Sequence, residues 1–594
     1  MRFKSAKTDG FQIFAVAGTN TVSFGIEASA AARKGLLGFA VERAEPKENE
    51  RYFMPGFKVF RSIIPHPDEK TRPSTHDHPV QSLVWDDFTG KDGRQYDYFF
   101  HPLRGTPRNL DRSARAIKIS VQTEPLFSKS THDVFFNRGV ASSQAYADQF
   151  DNLPPDKIKP PAKRQRALDW LSRKLDDALL MFIKNAKKND GLLCCFYEFR
   201  YQPVADEIAA AIKRGVKVQL IIDAKKNEST DKKGVFHPSF PRVENLKTIK
   251  AAKIPKANVI YREARKNDIQ HNKFMVLLKG TKRVPSEVWT GSTNISDGGI
   301  HGQTNVGHWV RDAKTAGRYQ AYWKLLSGDP GARDGTTAAG KKQNAAFTAE
   351  VEKITPAVLT LKAIPAGITA LFSPRKGLKV LGLYVALVAE AQRSGFITLA
   401  FGINKDFKEA LKGHTAKGPI TFMMLEKKDA PTKKNKDTFV AINAKQNVYK
   451  AWGSFIQDPL YQWTKETNAQ KLQLNQHVSY IHSKFLMRDP LGDDPLVVTG
   501  SANFSAPSTN ANDENMLVIR GDRRVADIYF TEFNRLFNHY YFRSVMEATK
   551  NSADNDTDGN LFLKEKAEQW LENYKPGKLR QKRVDLFVTM SGFK

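Results

Sequence analysis

The chain has 594 residues, with 93 Lys and Arg against 63 Asp and Glu, a formal net charge of +30. A mean hydropathy of −0.50, and no apolar run near the roughly 20 residues that span a bilayer, exclude a membrane-spanning reading. The two cysteines are adjacent, Cys194 and Cys195, which excludes a disulfide framework.

The charge predicts a polyanionic partner, either nucleic acid or anionic phospholipid. Phe11 to Gly18 lacks the build of a secretory h-region, so a reducing, cytoplasmic location is expected.

Residues 1–125 alternate short Phe-, Val-, Ile- and Tyr-rich runs with Gly, Asn, Asp and Pro clusters. That texture predicts an all-β sandwich-like accessory domain. Residues 126–166, ending in the Pro- and Lys-rich stretch Pro154 to Arg166, read as a linker. From 167 to 326 helices and strands alternate. Leu168, Leu171, Leu175, Leu179 and Phe182 fall at helical spacing and predict one amphipathic helix. Apolar runs at Leu192–Phe199 and Val216–Asp223 flank a helix near Val204–Arg214, a β-α-β unit that predicts a parallel sheet. Residues 327–372 read as a second linker, and 373–545 repeat the plan, with strands at Phe396–Phe401 and Ile420–Leu425. The expected fold is therefore multidomain, the β domain followed by duplicated α/β (α-β-α) units forming one bilobal body. Residues 546–594 are expected to form a helical, basic extension.

The chemistry repeats with the fold. His271-Asn-Lys273 is followed 20 residues after the histidine by Gly291-Ser292-Thr-Asn294, and His482-Ser-Lys484 after 18 by Gly500-Ser501-Ala-Asn503. Spacing of two on a strand sets His and Lys on one face. An imidazole, an ammonium, a hydroxyl (Ser292, Ser501) and an amide (Asn294, Asn503) around one point suit a phosphate. The imidazole attacks or protonates, and the other groups hold non-bridging oxygens. Two facing copies supply a nucleophile on one side of phosphorus and an acid on the other.

These residues resemble the phospholipase D superfamily, whose hallmark is His-x-Lys-x4-Asp followed by Gly-Ser-x-Asn. The resemblance covers roughly residues 167–545, and its nearest reading is a bacterial-type, nuclease-like member. The second copy matches fully through Asp489, with Glu514 in Asn512-Asp-Glu514-Asn515 as the residue that orients a catalytic histidine. In the first copy Leu278 replaces the acid and Thr304 stands near the expected Glu, with Gln303 a candidate substitute. The resemblance implies metal-independent phosphodiester cleavage with no cofactor, through a covalent phosphohistidine. By family order His271 is the nucleophile and His482 the acid/base.

Other features weigh less. Asp554, Asp556, Asp558 and Glu565 fit a twelve-residue calcium loop and form a candidate structural Ca2+ site. Cys194 and Cys195 are expected to be buried and inert; His301, His308 and His477 are expected at the surface. Three functions follow in order: a nuclease on DNA or RNA, a phospholipase D acting on phospholipid headgroups, and a catalytically reduced nucleic-acid-binding scaffold. Basic runs at Lys427–Lys436, Lys247–Lys256 and Lys575–Arg583 favour the first.

Overall fold

The computed structural model describes residues 1–68, 71–139, 144–151, 153–355, 360–433, 436–453, 480–550 and 562–593. The first lobe is a seven-stranded sheet of β1 (His132–Phe136), β2 (Gly191–Phe196), β3 (Lys217–Asp223), β4 (Val259–Arg262), β5 (Lys273–Lys279), β6 (Val284–Gly291) and β7 (Val306–Val310), in the order β1-β7-β6-β5-β2-β3-β4. The second contains β8 (Gly367–Ser373), β9 (Ser394–Leu399), β10 (Ile420–Leu425), β11 (Val448–Trp452), β12 (Phe485–Arg488), β13 (Leu496–Gly500) and β14 (Glu514–Arg520), in the order β8-β14-β13-β12-β9-β10-β11. The two orders correspond strand for strand, so the duplication is structural.

Each sheet is mixed rather than parallel. β2, β3 and β4 run parallel, as do β9, β10 and β11, because helices or long segments return the chain between them. The strands bearing His-x-Lys and Gly-Ser are joined by short turns, which permit only antiparallel pairing. Both segments read as linkers contribute to the lobes. β1 lies within 126–166, while 327–372 holds the helix Ala338–Ile354 and β8. Each of these strands pairs at a sheet edge with the last strand of its lobe, a long-range contact that local composition does not reveal. The single amphipathic helix is two, Pro161–Ser172 and Leu175–Lys184, broken where Arg173 and Lys174 take φ of 49° and 66°. The break turns Arg173 inward onto Glu532 (2.8 Å) and the Phe136 carbonyl (3.0 Å).

Between the sheets lie α1 (Ala313–Ser327) and α2 (Arg523–Lys550), each touching both lobes. Tyr319 on α1 meets Phe274 of its own lobe and Phe372 of the other edge to face, with centroids at 5.1 and 5.0 Å. Tyr529 on α2 does the same with Phe485 and Phe136, at 5.1 and 5.2 Å. Each such pair adds about 0.5–1.5 kcal/mol beyond area burial. The edge strand of one lobe thereby packs on the helix of the other.

In residues 1–122 a four-stranded and a five-stranded sheet, both antiparallel, bring Phe24 against Tyr98 (4.8 Å) and Phe100 (5.3 Å). The C-terminal residues fold back onto them: Trp570 Nε1 donates to the Leu36 carbonyl (2.8 Å), and the Leu83 amide donates to Tyr574 Oη (2.9 Å). Arg2, fully buried, binds Asp527 of α2 (2.8 Å) and joins this body to the lobes. Of the proposed calcium loop, Asp554, Asp556 and Asp558 lie outside the described residues. Glu565 accepts from the Ser62 amide (3.2 Å) and hydroxyl (2.8 Å). Among the described residues no helix is long and apolar enough to cross a membrane.

Candidate active site

His271 and His482 sit just before β5 and β12, where the chain enters each sheet beside the end of its neighbour; Phe196 at the end of β2 pairs with Lys273. Both histidines are almost fully buried. Parallel bridges join Gln270 to Asp513 and Thr304 to Ile481, so the residue preceding each histidine is stitched to the opposite lobe. The His271 amide donates to the Asp513 carbonyl (2.9 Å) and the His482 amide to the Thr304 carbonyl (3.2 Å).

This stitching decides who orients whom. Glu514 of the second lobe lies 2.9 Å through Oε2 from Nδ1 of His271 in the first. Asn305 of the first lobe lies 2.9 Å through Oδ1 from Nδ1 of His482 in the second. Neither Thr304 nor Gln303 fills the place of the missing Glu; Thr304 matches Asp513, and Asn305 matches Glu514. The signal was present, since Asn305 follows Ser292 by 13 residues and Glu514 follows Ser501 by 13. The serine hydroxyls complete the pattern: Ser501 donates to Glu514 (2.7 Å) and Ser292 to Asn305 (2.8 Å). Expected on the substrate, these hydroxyls hold the partners of the histidines.

The glycines before them have a steric reason. A Cβ on Gly291, where φ is +135°, would stand 2.2 Å from the Val306 carbonyl oxygen; on Gly500 it would stand 2.2 Å from that of Asn515. Only glycine lets each Gly-Ser turn lie against the strand carrying Asn305 or Glu514.

Lys273 and Lys484 are buried, each donating to the carbonyl of its own motif histidine, at 2.6 and 2.7 Å. Burial lowers Lys273 to about 8 and Lys484 well below the usual lysine range. Burial first, then the two lysines, hold His271 well below its ordinary value. The same causes, with His271 added, act on His482. Burial raises the Glu514 carboxyl to about 8 although both lysines pull it down. The result is a buried site with two neutral imidazoles and two lysines whose ammonium forms burial disfavours, suited to an anionic phosphodiester that would restore their charge.

The lobes differ at their rims. Asn294 donates to Glu198 (2.7 Å), which also pairs with Arg200 (2.9 Å). The strand register puts Phe401 at the place of Glu198 in the second lobe, and Phe401 is 69% exposed. Among the described residues, Oδ1 of Asn294 and of Asn503 is buried without a partner. Glu198 and Arg200 have no counterpart in a repeated motif that would mark them in the sequence, whereas Asn305 is marked only by its spacing from Ser292.

The acid missing at Leu278 is supplied elsewhere. In the second lobe Asp489 accepts the amides of Gln392, Arg393 and Ser394 at 2.7–2.9 Å, which makes it structural. In the first lobe Asp190, beside β2, accepts the Lys187 and Gly280 amides, and Leu278 packs in the core. His301 and His308 are buried rather than at the surface; His308 contacts His132 (2.8 Å) and Tyr529 (3.1 Å). His477 lies outside the described residues. Cys194 and Cys195 are buried, which raises both thiols.

The family model described as "Cardiolipin synthase, PLD-like domain" matches residues 179–326 and 384–537. No curated protein matches the sequence. Among solved structures, phosphatidylserine synthase of Haemophilus influenzae Rd KW20 is 12% identical, with a TM-score of 0.42 over 71% of this chain and 94% of its own. Yeast tyrosyl-DNA phosphodiesterase is 12% identical, with a TM-score of 0.30 over 58% and 85%. Nuc of Salmonella typhimurium is 20% identical, with a TM-score of 0.19 over 25% and 84%. With both lobes matched by the family model and a histidine motif in each, the chain belongs to the phospholipase D superfamily and is an enzyme of its phosphodiesterase type.

Proposed function

We propose that the chain cleaves phosphodiesters without metal, through a covalent phosphohistidine on His271, with His482 as acid and then base. The observation that carries this order is the unequal pairing of the two imidazoles. Attack by Nε2 of His271 on phosphorus leaves its ring cationic, and the Glu514 carboxylate at Nδ1 stabilises that charge. His482, neutral in the empty site with its proton on Nδ1 against Asn305, takes a second proton at Nε2 from solvent when the anionic diester binds, and gives that proton to the leaving oxygen as the P–O bond breaks. A neutral amide at Nδ1 of His482 leaves its imidazolium a stronger acid than a carboxylate would. In the second step His482 takes a proton from water, the water oxygen attacks phosphorus, and the P–N bond breaks. Lys273 and Lys484 supply the positive charge. The carboxylates at the site are already engaged, Glu514 by His271 and Ser501, Glu198 by Asn294 and Arg200.

Two substrate classes fit. The surplus of 30 positive charges favours a nucleic-acid strand, hence a nuclease. Apolar side chains exposed among lysines around the site favour a phospholipid headgroup, the substrate class that the name of the matching family model also suggests. The test is trapping. His482→Asn, given bis(4-nitrophenyl) phosphate in EDTA, should release one nitrophenolate and accumulate the 4-nitrophenylphosphoryl group on the His271 peptide. A phosphoryl group found only on His482 would reverse the order. Wild-type turnover lost in EDTA and restored by magnesium would overturn the metal-free reading.

A further inference from the structure

The strands of both lobes open onto one face. The Gln270 amide donates to Asp223 at the end of β3 (3.1 Å), Ser373 at the end of β8 pairs with Glu514, and Glu426 just after β10 accepts the Tyr480 and Ile481 amides. Segments leaving these strand ends therefore surround the two histidines. Of the five most exposed large apolar side chains among the described residues, three lie on them, Phe236 (63%), Val235 (51%) and Leu378 (48%), and a fourth, Phe401 (69%), follows β9, whose last residue Leu399 pairs with Leu425 at the end of β10. The fifth, Val284, begins β6 at the opposite edge.

Val235 and Phe236 stand on a small hairpin, in which Thr230 pairs with Phe236, between β3 and the next helix. Residues 225–240 hold four Lys against one Glu and one Asp, and residues 426–436 five Lys against one of each. Asp231 turns into its own hairpin, accepting the Lys233 and Val235 amides (2.8 and 3.0 Å), and Glu426 turns into the site. Lys225 is buried on Asp223 (2.8 Å), which leaves Lys226, Lys232 and Lys233 exposed on the first segment, with Lys427, Lys428, Lys433 and Lys436 exposed on the second among the described residues, so the outward charge of both is positive. Apolar tips beside lysines are what the boundary between headgroups and acyl chains accepts, the tip entering the hydrocarbon and the ammonium staying at the phosphates. A nucleic-acid strand would use rings to stack its bases; Phe236 and Phe401 supply rings, but Val235 and Leu378, exposed beside them, have no use in stacking and are accounted for by a hydrocarbon boundary.

We propose that this face docks on an anionic phospholipid bilayer, with Val235, Phe236 and Phe401 at the acyl boundary and the exposed lysines of both segments on the headgroups. The lipid phosphodiester would then enter between His271 and His482, a consequence that rests on the phosphodiesterase reading above.

The full chain should sediment with vesicles of phosphatidylcholine mixed with phosphatidylglycerol and not with phosphatidylcholine alone. Val235→Ser with Phe236→Ser should weaken that partition about tenfold or more, and Lys232→Glu with Lys233→Glu comparably. In Phe236→Trp, the indole emission should shift to the blue on mixed vesicles and be quenched by brominated acyl chains. Docking is overturned if mixed vesicles are not bound, or if the serine pair binds as tightly as wild type. It is also overturned if the emission of the Phe236→Trp variant responds to single-stranded DNA and not to vesicles. Hydrolysis of bis(4-nitrophenyl) phosphate without vesicles reads the chemistry separately. The serine pair should keep it, whereas His271→Asn should abolish it and still bind vesicles. Vesicle binding by a wild type that cleaves no diester would sink the phosphodiesterase reading and leave docking standing.

Discussion

Exchanging Glu514 for Gln isolates the charge at His271 from its geometry. Glu514 is 1% exposed and touches His271 Nδ1 at 2.9 Å and Ser501 Oγ at 2.7 Å. Gln is nearly isosteric, and its carbonyl can accept both protons, much as Asn305 does opposite His482. What is lost is ionisation. A charge-assisted hydrogen bond is about twice as strong as a neutral one, a difference of about 1–2 kcal/mol. Nucleophilic attack should therefore slow about five- to thirtyfold.

The assay is kcat/KM for bis(4-nitrophenyl) phosphate, whose leaving group needs no proton, against pH. In wild type, Glu514 must ionise to accept the Nδ1 proton, and burial puts that near 8, so the rate should climb toward pH 8. The variant should lose this acid limb. Fold stability moves the other way: wild type holds the Glu514 proton from 4.5 up to about 8 while the unfolded chain has lost it, so folding weakens as pH rises through that window. Glu514→Gln should gain on wild type there by thermal melting. A variant with unchanged rate on the activated diester, slow only when the leaving group is a poor one, would refute the assignment and make Glu514 part of the acid.

Three further outcomes follow from the same geometry. Lys273, lowered to about 8, must stay protonated to hold phosphate oxygens, so activity should fall as pH rises past about 8; a rate still climbing at pH 9 would contradict its role. Asp513, held low by Arg262 (2.9 Å) and Arg265 (2.8 Å) against the effect of burial, ties the lobes together. Asp513→Asn should cost about 3–5 kcal/mol, read as a lower denaturant midpoint, and an unchanged midpoint would remove this contact from the interface. Gly500→Ala sets a Cβ 2.2 Å from the Asn515 carbonyl and must move the strand bearing Glu514; turnover should drop more than vesicle binding, and full activity would contradict the close approach.

The chemistry of each half-site was legible in the chain alone. His and Lys two apart on a strand, and Gly-Ser-x-Asn after a turn, are local patterns whose side-chain directions follow from strand periodicity, and two copies made them stand out. The duplication and the order of the strand-helix units were readable for the same reason. The rest came from long-range packing. β1 and β8 are five- and seven-residue strands stabilised by pairing at sheet edges with strands 174 and 147 residues later, and no local period marks such a contact. That Glu514 serves His271, and Asn305 serves His482, depends on two bridges between lobes. The spacing of 13 marks Asn305 as the counterpart, although Thr304 and Gln303 are the residues expected there, and only the packing of the sheets assigned it to the other histidine. Exposure is likewise a tertiary property: Phe401 and Phe396 are alike in sequence, yet one stands at the rim and the other is buried among Phe422, Phe530 and Phe533, because only strand direction and the neighbouring lobe settle which face meets water.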